Sequence, residues 1–315
     1  MRPEQGKVVV VGSLNMDIVV RSSRFPASGE TMFGQEVHFI PGGKGGNQAV
    51  ACARLGHKAV MLGAVGDDGF GHSLLESLKA NGVRTGHMKK TNAAATGIAS
   101  ITLTPADNTI LVVPGANETL TAEDINAWSS VISEASILLV QLEIPMEAVA
   151  AAVDIADRHG IPVILNPAPA RNIAADILRK VRYITPNQSE LLELTGIALS
   201  DEGLERAIDA LLERGPEFVV ATLGSKGAAW KQRGGQLQRI DAHRLEVIDT
   251  TGAGDAFNAG LACALSRGEL IGNGVRFAVA VSALAVTKFG AQDGMPMKEE
   301  VERFMRSFTH EGATR

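Results

Sequence analysis

Short apolar runs that end at a glycine or a polar residue alternate with stretches of helical periodicity along most of this chain, and that alternation restricts the fold more than any other feature. Residues 8–11 are four consecutive valines closed by Gly12, the form of a strand buried on both faces. Strand-like text recurs at 59–64, 137–142, 162–165 and 217–221; helical text stands at 49–55, 71–81, 146–159, 191–195, 256–265 and 275–288. Strand and helix in alternation predict an α/β fold of three layers, α/β/α, with a mostly parallel central sheet. Ligands of such sheets bind beyond the carboxyl ends of the strands. The polar residues that follow each apolar run are therefore the first candidates for a site.

The length of 315 residues suits one large α/β domain spanning 1–315. Two segments depart from its rhythm. Residues 18–40 alternate, break at 25–29 and resume, and 96–104 and 109–113 flank the turn Pro105-Ala106-Asp107-Asn108. They predict a small β-sheet inserted from about 14–41 and 96–114. Because each half adjoins a candidate ligand segment, the expectation is a lid.

A net charge of -5 supplies no basic footprint, which argues against nucleic acid and anionic membrane as partners and for a small soluble ligand. The N-terminus carries only a four-residue apolar run before Gly12, too short for a signal segment, and the most apolar later run, 277–286, is too short to span a membrane. Cys52 and Cys263 lie in alanine-rich helical text and read as apolar fillers in a reducing compartment. The expected location is the cytoplasm. No histidine has the spacing of a zinc site.

The densest chemistry lies in Asp249-Thr250-Thr251-Gly252-Ala253-Gly254-Asp255. Gly252 and Gly254 allow a sharp turn into the following helix, where unpaired amides and the helix dipole favour an anion. Acids favour helix N-termini for capping alone. A second acid six positions earlier exceeds what capping requires, so Asp255 is the candidate base.

Pro41-Gly42-Gly43-Lys44-Gly45-Gly46-Asn47-Gln48 opens another helix, with Lys44 and Asn47 as donors among four glycines. Asn15 and Asp17, two apart in extended text, point to one side, and a polyol would donate the hydrogen bonds that a buried Asp17 needs. Glu143 stands at a strand end. Asn187 and Glu190 have the spacing of a capping box, and equally of groups that hold the waters of Mg2+. Thr222-Leu223-Gly224-Ser225-Lys226-Gly227 reads either as a phosphate-binding turn or as a hairpin turn, and 289–294 as a loop that folds back near Asp249. A P-loop, a G-x-G-x-x-G fingerprint and the protein-kinase motifs are all missing from the sequence.

Together and in order, these segments resemble the ribokinase-like carbohydrate kinase family over nearly the whole chain. The resemblance rests on Gly42-Gly43-Lys44-Gly45-Gly46-Asn47-Gln48-Ala49, the turn from Asp249 to Asp255, Gly12-Ser13-Leu14-Asn15-Met16-Asp17, Gln141-Leu142-Glu143, Asn166-Pro167-Ala168-Pro169-Ala170 and the turn from Thr222 to Gly227. It implies transfer of the γ-phosphoryl group of ATP to the primary 5-hydroxyl of D-ribose. Asn15, Asp17, Gly43, Lys44, Asn47 and Glu143 would hold the sugar, Asp255 would act as base, and Gly252, Ala253 and Gly254 would form an anion hole. The resemblance further implies that Asn187, Thr222, Gly224, Ser225, Lys226 and Gly227, with Gly254, bind ATP and that Asn187 and Glu190 place Mg2+ through water. It implies activation by K+ at the Asp249 carboxylate and the carbonyls of Thr251, Ala285, Lys288 and Gly290, and a homodimer formed through the β-lid.

Two positions depart from the family's pattern. Gly294 stands where a serine commonly helps hold the monovalent ion, and Val279 where a polar residue often flanks the adenine. Deoxyribose, another sugar or a nucleoside is the alternative acceptor, decided by apolar lid residues such as Ala99 and Ile101. A catalytically silent sugar-binding regulator and an oxidoreductase are more distant readings. The intact Asp255 turn speaks against the first, and the missing dinucleotide fingerprint against the second.

Overall fold

The computed structural model describes residues 6–311. Residues 1–5, part of the N-terminal stretch read above as too short in apolar residues for a signal segment, lie outside them. The central sheet runs Gln238–Ile240, Ala228–Gln232, Phe218–Thr222, Tyr183–Ile184, Val163–Leu165, Ile137–Val140, Lys7–Val11, Lys58–Gly66, Arg84–Thr91 from edge to edge. From Phe218–Thr222 to Arg84–Thr91 all strands are parallel, and the remaining two close one edge as an antiparallel hairpin.

The four valines show why the sheet needs cover on both faces. Val8 and Val10 belong to one core with helices Lys44–Arg54, Ala253–Ser266 and Ile271–Ala285, and Val9 and Val11 to the other with Met146–Arg158. All four are fully buried, each burial contributing roughly 1.5–3 kcal/mol before chain entropy is counted. Helices on both faces of a mostly parallel sheet are the predicted layering.

A second sheet, in the order Glu36–Gly42, Asn15–Arg21, Gly97–Leu103, Asn108–Val113, stands apart from the first. Its outer strands keep Phe39 56% and Leu111 69% exposed. Thr96 ties its base to the main body: the Asp68 carboxylate accepts from the Thr96 amide and hydroxyl, both at 2.7 Å, and from Gly71 N–H at 2.8 Å.

Several helices start earlier than the periodicity predicts. The expected 49–55 begins at Lys44, 256–265 at Ala253 and 275–288 at Ile271. In the first two, glycine text that reads as loop is the first helical turn, because the left-handed residue sits just before it, at Gly43 (φ 84°) and Gly252 (φ 77°). Strand Arg84–Thr91 gave no apolar alternation to read, being a polar edge strand.

Candidate active site

The carboxyl ends of the parallel strands deliver polar residues to one rim. Ser13 follows Lys7–Val11, Gln141 and Glu143 follow Ile137–Val140, Asn166 follows Val163–Leu165, and Thr185 follows Tyr183–Ile184. Two helix N-termini meet this rim, those of Lys44–Arg54 and Ala253–Ser266. Gly43 makes the first approach possible: a Cβ there would lie 2.7 Å from backbone atoms of Leu14 and Asn15. Only glycine combines that contact with a positive φ.

Asp255, in the first turn of its helix, is 7% exposed. Its Oδ2 accepts from Asn47 Nδ2 and its Oδ1 from Gln48 Nε2, each at 2.9 Å. Burial pushes its pKa above the ordinary carboxylate range, while Lys44 and the two amides pull the other way. Asp17 is pushed up to about 7, chiefly by burial and then by the nearby Glu143 and Asp255 carboxylates. Burial alone would lower the Lys44 pKa, but Asp255, Glu143, Glu190 and Asp17 outweigh it and hold the ammonium charged. Glu143 accepts from Ser13 Oγ at 2.5 Å and lies 3.9 Å from Lys44 Nζ. Four acids thus share one cation, an arrangement that suits a ligand rich in hydroxyl donors.

Beside Asp255 lies a cavity of about 190 Å³ whose lining includes Lys44, Asn187, Glu190, Thr222, Gly252 and Asp255. A second, of about 520 Å³, is walled by Gly224, Ser225, Gly227, Val247, Phe257 and Val279, among others. The two share Thr222, Thr250, Ala253 and Gly254. At that junction the N–H groups of Gly252, Gly254 and Asp255 meet no acceptor among the described residues, whereas that of Ala253 donates to the Thr250 carbonyl at 3.2 Å. Free amides at a helix start favour a negatively charged group.

Asn187 and Glu190 form a reciprocal capping box: Glu190 accepts from the Asn187 backbone (2.8 Å) and side-chain amide (2.9 Å), and Asn187 Oδ1 accepts from Glu190 N–H (2.8 Å). Both also line the smaller cavity. Burial raises the Glu190 pKa. The turn from Gly224 to Gly227 is a hairpin turn between antiparallel strands, and Gly224, Ser225 and Gly227 also wall the larger cavity. Lys226 lines neither cavity.

Residues 289–294 do fold back on Asp249: its Oδ2 accepts from Gly290 N–H at 2.9 Å, while Oδ1 accepts from the Thr251 amide (2.9 Å) and hydroxyl (2.7 Å). A Cβ built on Gly294 would lie 3.0 Å from the Ala285 carbonyl and 3.6 Å from that of Lys288. The carbonyls converge on the position that lacks a side chain.

Residues given no role in the sequence reading also shape the site. Asn117 is 1% exposed; it accepts from Leu14 N–H at 2.9 Å and donates to Asn15 Oδ1 at 2.9 Å. It lies 102 positions from Asn15, so no local pattern announces the contact. Thr185 and Asn258 are buried residues that line the smaller cavity, and Gln48 and Gln141 are fully buried without lining it. Gln141 left a trace, a polar residue within an apolar run.

Residues 5–298 match the pfkB family of carbohydrate kinases. A ribokinase from Bacillus subtilis is 42% identical over 299 residues, covering 95% of this chain and 99% of that protein. A deoxyribokinase from Salmonella typhi is 33% identical over 301 residues, 95% of this chain and 98% of that protein. Among solved structures, Arabidopsis thaliana ribokinase complexed with ribose and ATP superposes with a TM-score of 0.89 at 32% identity, covering 95% of this chain and 98% of that one.

Proposed function

The chain belongs to the pfkB family of carbohydrate kinases, and from that premise we propose that it transfers the γ-phosphoryl group of ATP to the primary 5-hydroxyl of D-ribose, giving D-ribose 5-phosphate. The observation that carries this reading is the junction of two cavities at a helix N-terminus with free amides, with a buried carboxylate on one side and a large, mainly apolar cavity on the other.

In this reading Asn15, Asp17, Gly43, Lys44, Asn47 and Glu143 hold the sugar, and Asp255 takes the proton from its primary hydroxyl. Phosphoryl transfer needs alignment and charge stabilisation more than covalent help. The N–H groups of Gly252 and Gly254 stabilise the charge that develops on the transferring group. Ala253 holds the turn in shape through Thr250. The adenosine side of ATP occupies the larger cavity against Val279, with Thr222, Gly224, Ser225 and Gly227 toward its phosphates; Lys226 acts from outside the wall.

Asn187 and Glu190 fit a Mg2+ that keeps its own waters, since the Glu190 carboxylate retains lone pairs beyond those used in the capping box. When bound, Mg2+ would neutralise phosphate charge. K+ is assigned to the loop of Asp249, Thr251, Ala285, Lys288 and Gly290, supported by the carbonyls that converge beside Gly294. No helix among the described residues is long and apolar enough to cross a membrane, and Cys52 and Cys263 are both buried and unbridged, which supports a cytoplasmic address. The exposed apolar strands of the second sheet support a lid that also pairs two chains; a sedimentation mass of one chain would refute the pairing.

The test is ADP release from Mg-ATP with D-ribose, 2-deoxyribose, fructose and adenosine in parallel, in K+ and in Na+ buffer. Ribose-dependent release, faster in K+, is the expected result. Release only with another acceptor would keep the mechanism and move the substrate, and silence with every acceptor while sugar binds would leave a regulator.

Asp17 supplies a pH signature. A sugar hydroxyl that donates to Asp17 is held more strongly by the ionised form, so with a pKa of about 7 the apparent affinity rises with pH and levels off above neutrality. The dissociation constant for D-ribose is expected to fall about tenfold between pH 6 and pH 8, and Asp17→Asn to bind more weakly without that slope. Calorimetric titration at three pH values decides it; a flat wild-type profile would remove Asp17 from the sugar contact.

A further inference from the structure

Two glutamines with no solvent exposure lie under the candidate base. Gln141 Nε2 donates to Gln48 Oε1 at 2.6 Å, and Gln48 Nε2 donates to Asp255 Oδ1 at 2.9 Å and to Asn166 Oδ1 at 3.2 Å. The chain continues in one direction. Asn166 Nδ2 donates to the Thr185 carbonyl (3.4 Å), Thr185 Oγ1 to Asn258 Oδ1 (2.6 Å), and Asn258 Nδ2 to the Gly254 carbonyl (2.9 Å). One buried network therefore joins the base to the amide turn.

The direction is fixed at its start. If the Gln48 amide were reversed, its oxygen would face both the Asp255 carboxylate and the Asn166 oxygen, and its nitrogen would face a donor. The Asp255 carboxylate, when ionised only an acceptor, opposes that reversal, and the Gln141 N–H on Gln48 Oε1 reinforces the opposition. Gln141 is itself wedged: its Oε1 has no partner, and it fills the space beside Gly12, where a Cβ would lie 1.9 Å from it. A buried acceptor left unpaired costs about 1–3 kcal/mol, and the strain is tolerated where orientation matters.

We propose that Gln48, oriented by Gln141, is a positioning residue for Asp255, fixing the carboxylate for proton transfer and stabilising its ionised form. The proposal rests on the kinase reading above for the role of Asp255. The other groups that act on the carboxylate are Lys44, Asn47 and Glu143, together with Asp17 from the second sheet and Glu190 from helix Gln188–Thr195. Among the described residues, none of these hydrogen-bonds to the Gln141 side chain.

The test compares wild type with Gln48→Met and Gln141→Leu at saturating sugar. Loss of a donor to the ionised carboxylate moves its titration to higher pH, so the acid limb of the kcat profile is expected to rise by about one unit in Gln48→Met. A fall in kcat of roughly 10- to 100-fold should accompany it, with the sugar dissociation constant within threefold of wild type. Gln141→Leu, which touches neither Asp255 nor a cavity, should shift the limb in the same direction by less. If Gln48→Met does not fold, Gln141→Leu decides alone.

An unshifted limb in the folded variants overturns the proposal, as does a fall in kcat matched by an equal loss of sugar binding. The Asp255 carboxyl band, isolated by infrared difference against Asp255→Asn, follows the same titration without turnover. A wild type that phosphorylates no sugar would therefore sink the kinase reading and leave this inference to be judged on the band.

Discussion

Asp255→Asn is expected to lower kcat by roughly 10²- to 10⁴-fold while sugar and nucleotide dissociation constants stay within a few-fold of wild type. The substitution keeps shape and one acceptor oxygen, and removes the proton acceptor. Its new NH2 group would face either Asn47 or Gln48, both donors in the wild type. Asn47 relieves the conflict, because its Oδ1 is buried without a partner and half a turn of its amide presents that oxygen instead.

The same variant carries a stability prediction of definite sign. The folded pKa of Asp255 lies above its ordinary value of 3.8, with burial the main cause. The folded protein thus holds that proton more tightly than the unfolded chain, and the stability it contributes is lost as pH rises from about the ordinary value through the raised one. Asparagine titrates nowhere. The difference in melting temperature, variant minus wild type, should therefore increase from pH 4 to pH 8. Near-normal turnover in a folded Asp255→Asn would remove the residue from the role of base.

How much of this site was legible in the sequence follows from distance along the chain. Asp249 to Asp255, the loop at Lys44 and the Asn187–Glu190 pair are local patterns, and each became a local structure: a helix start, a glycine approach, a capping box. The alternation of strands and helices was equally legible, since strands such as Lys58–Gly66 and Ile137–Val140 carry their own apolar runs. Strand Arg84–Thr91 was not, because a polar edge strand has no face to bury.

What joins the local pieces was not legible. Asn117 to Asn15, Gln48 to Asp255 and Thr185 to Asn258 are contacts between residues 102, 207 and 73 positions apart. Periodicity reports which face of an element is buried and says nothing about which buried amide meets which carboxylate. The commitment of the Ala253 amide to Thr250 was hidden for a related reason: three successive residues of a glycine turn look alike in sequence, and only the backbone path separates free donors from a used one.

That separation sets the second large effect. Gly252→Val is expected to lower kcat by roughly 10²- to 10³-fold, the range for loss of a preorganised oxyanion donor, and to lower the melting temperature as well. At φ 77° the backbone of Gly252 is left-handed, a region that costs an L-residue roughly 1–2 kcal/mol and a β-branched one more. A Cβ there would also stand 3.1 Å from Met295 Cε and 3.2 Å from Ala291 Cα. The methionine tip can move aside; the Ala291 backbone cannot do so cheaply, because Gly290 beside it is held by Asp249. The helix start must shift instead, carrying the free Gly252 and Gly254 amides off the cavity junction. Sugar affinity should change little, since Asn15, Asp17 and Lys44 stand on other elements. Gly254→Ala is the matched control. Its Cβ meets no atom within 4 Å and its φ is not positive, so its stability should match wild type while its methyl group enters the open space at the junction. A Gly252→Val protein with kcat within threefold of wild type would place the anion-binding donors elsewhere, whatever its melting temperature.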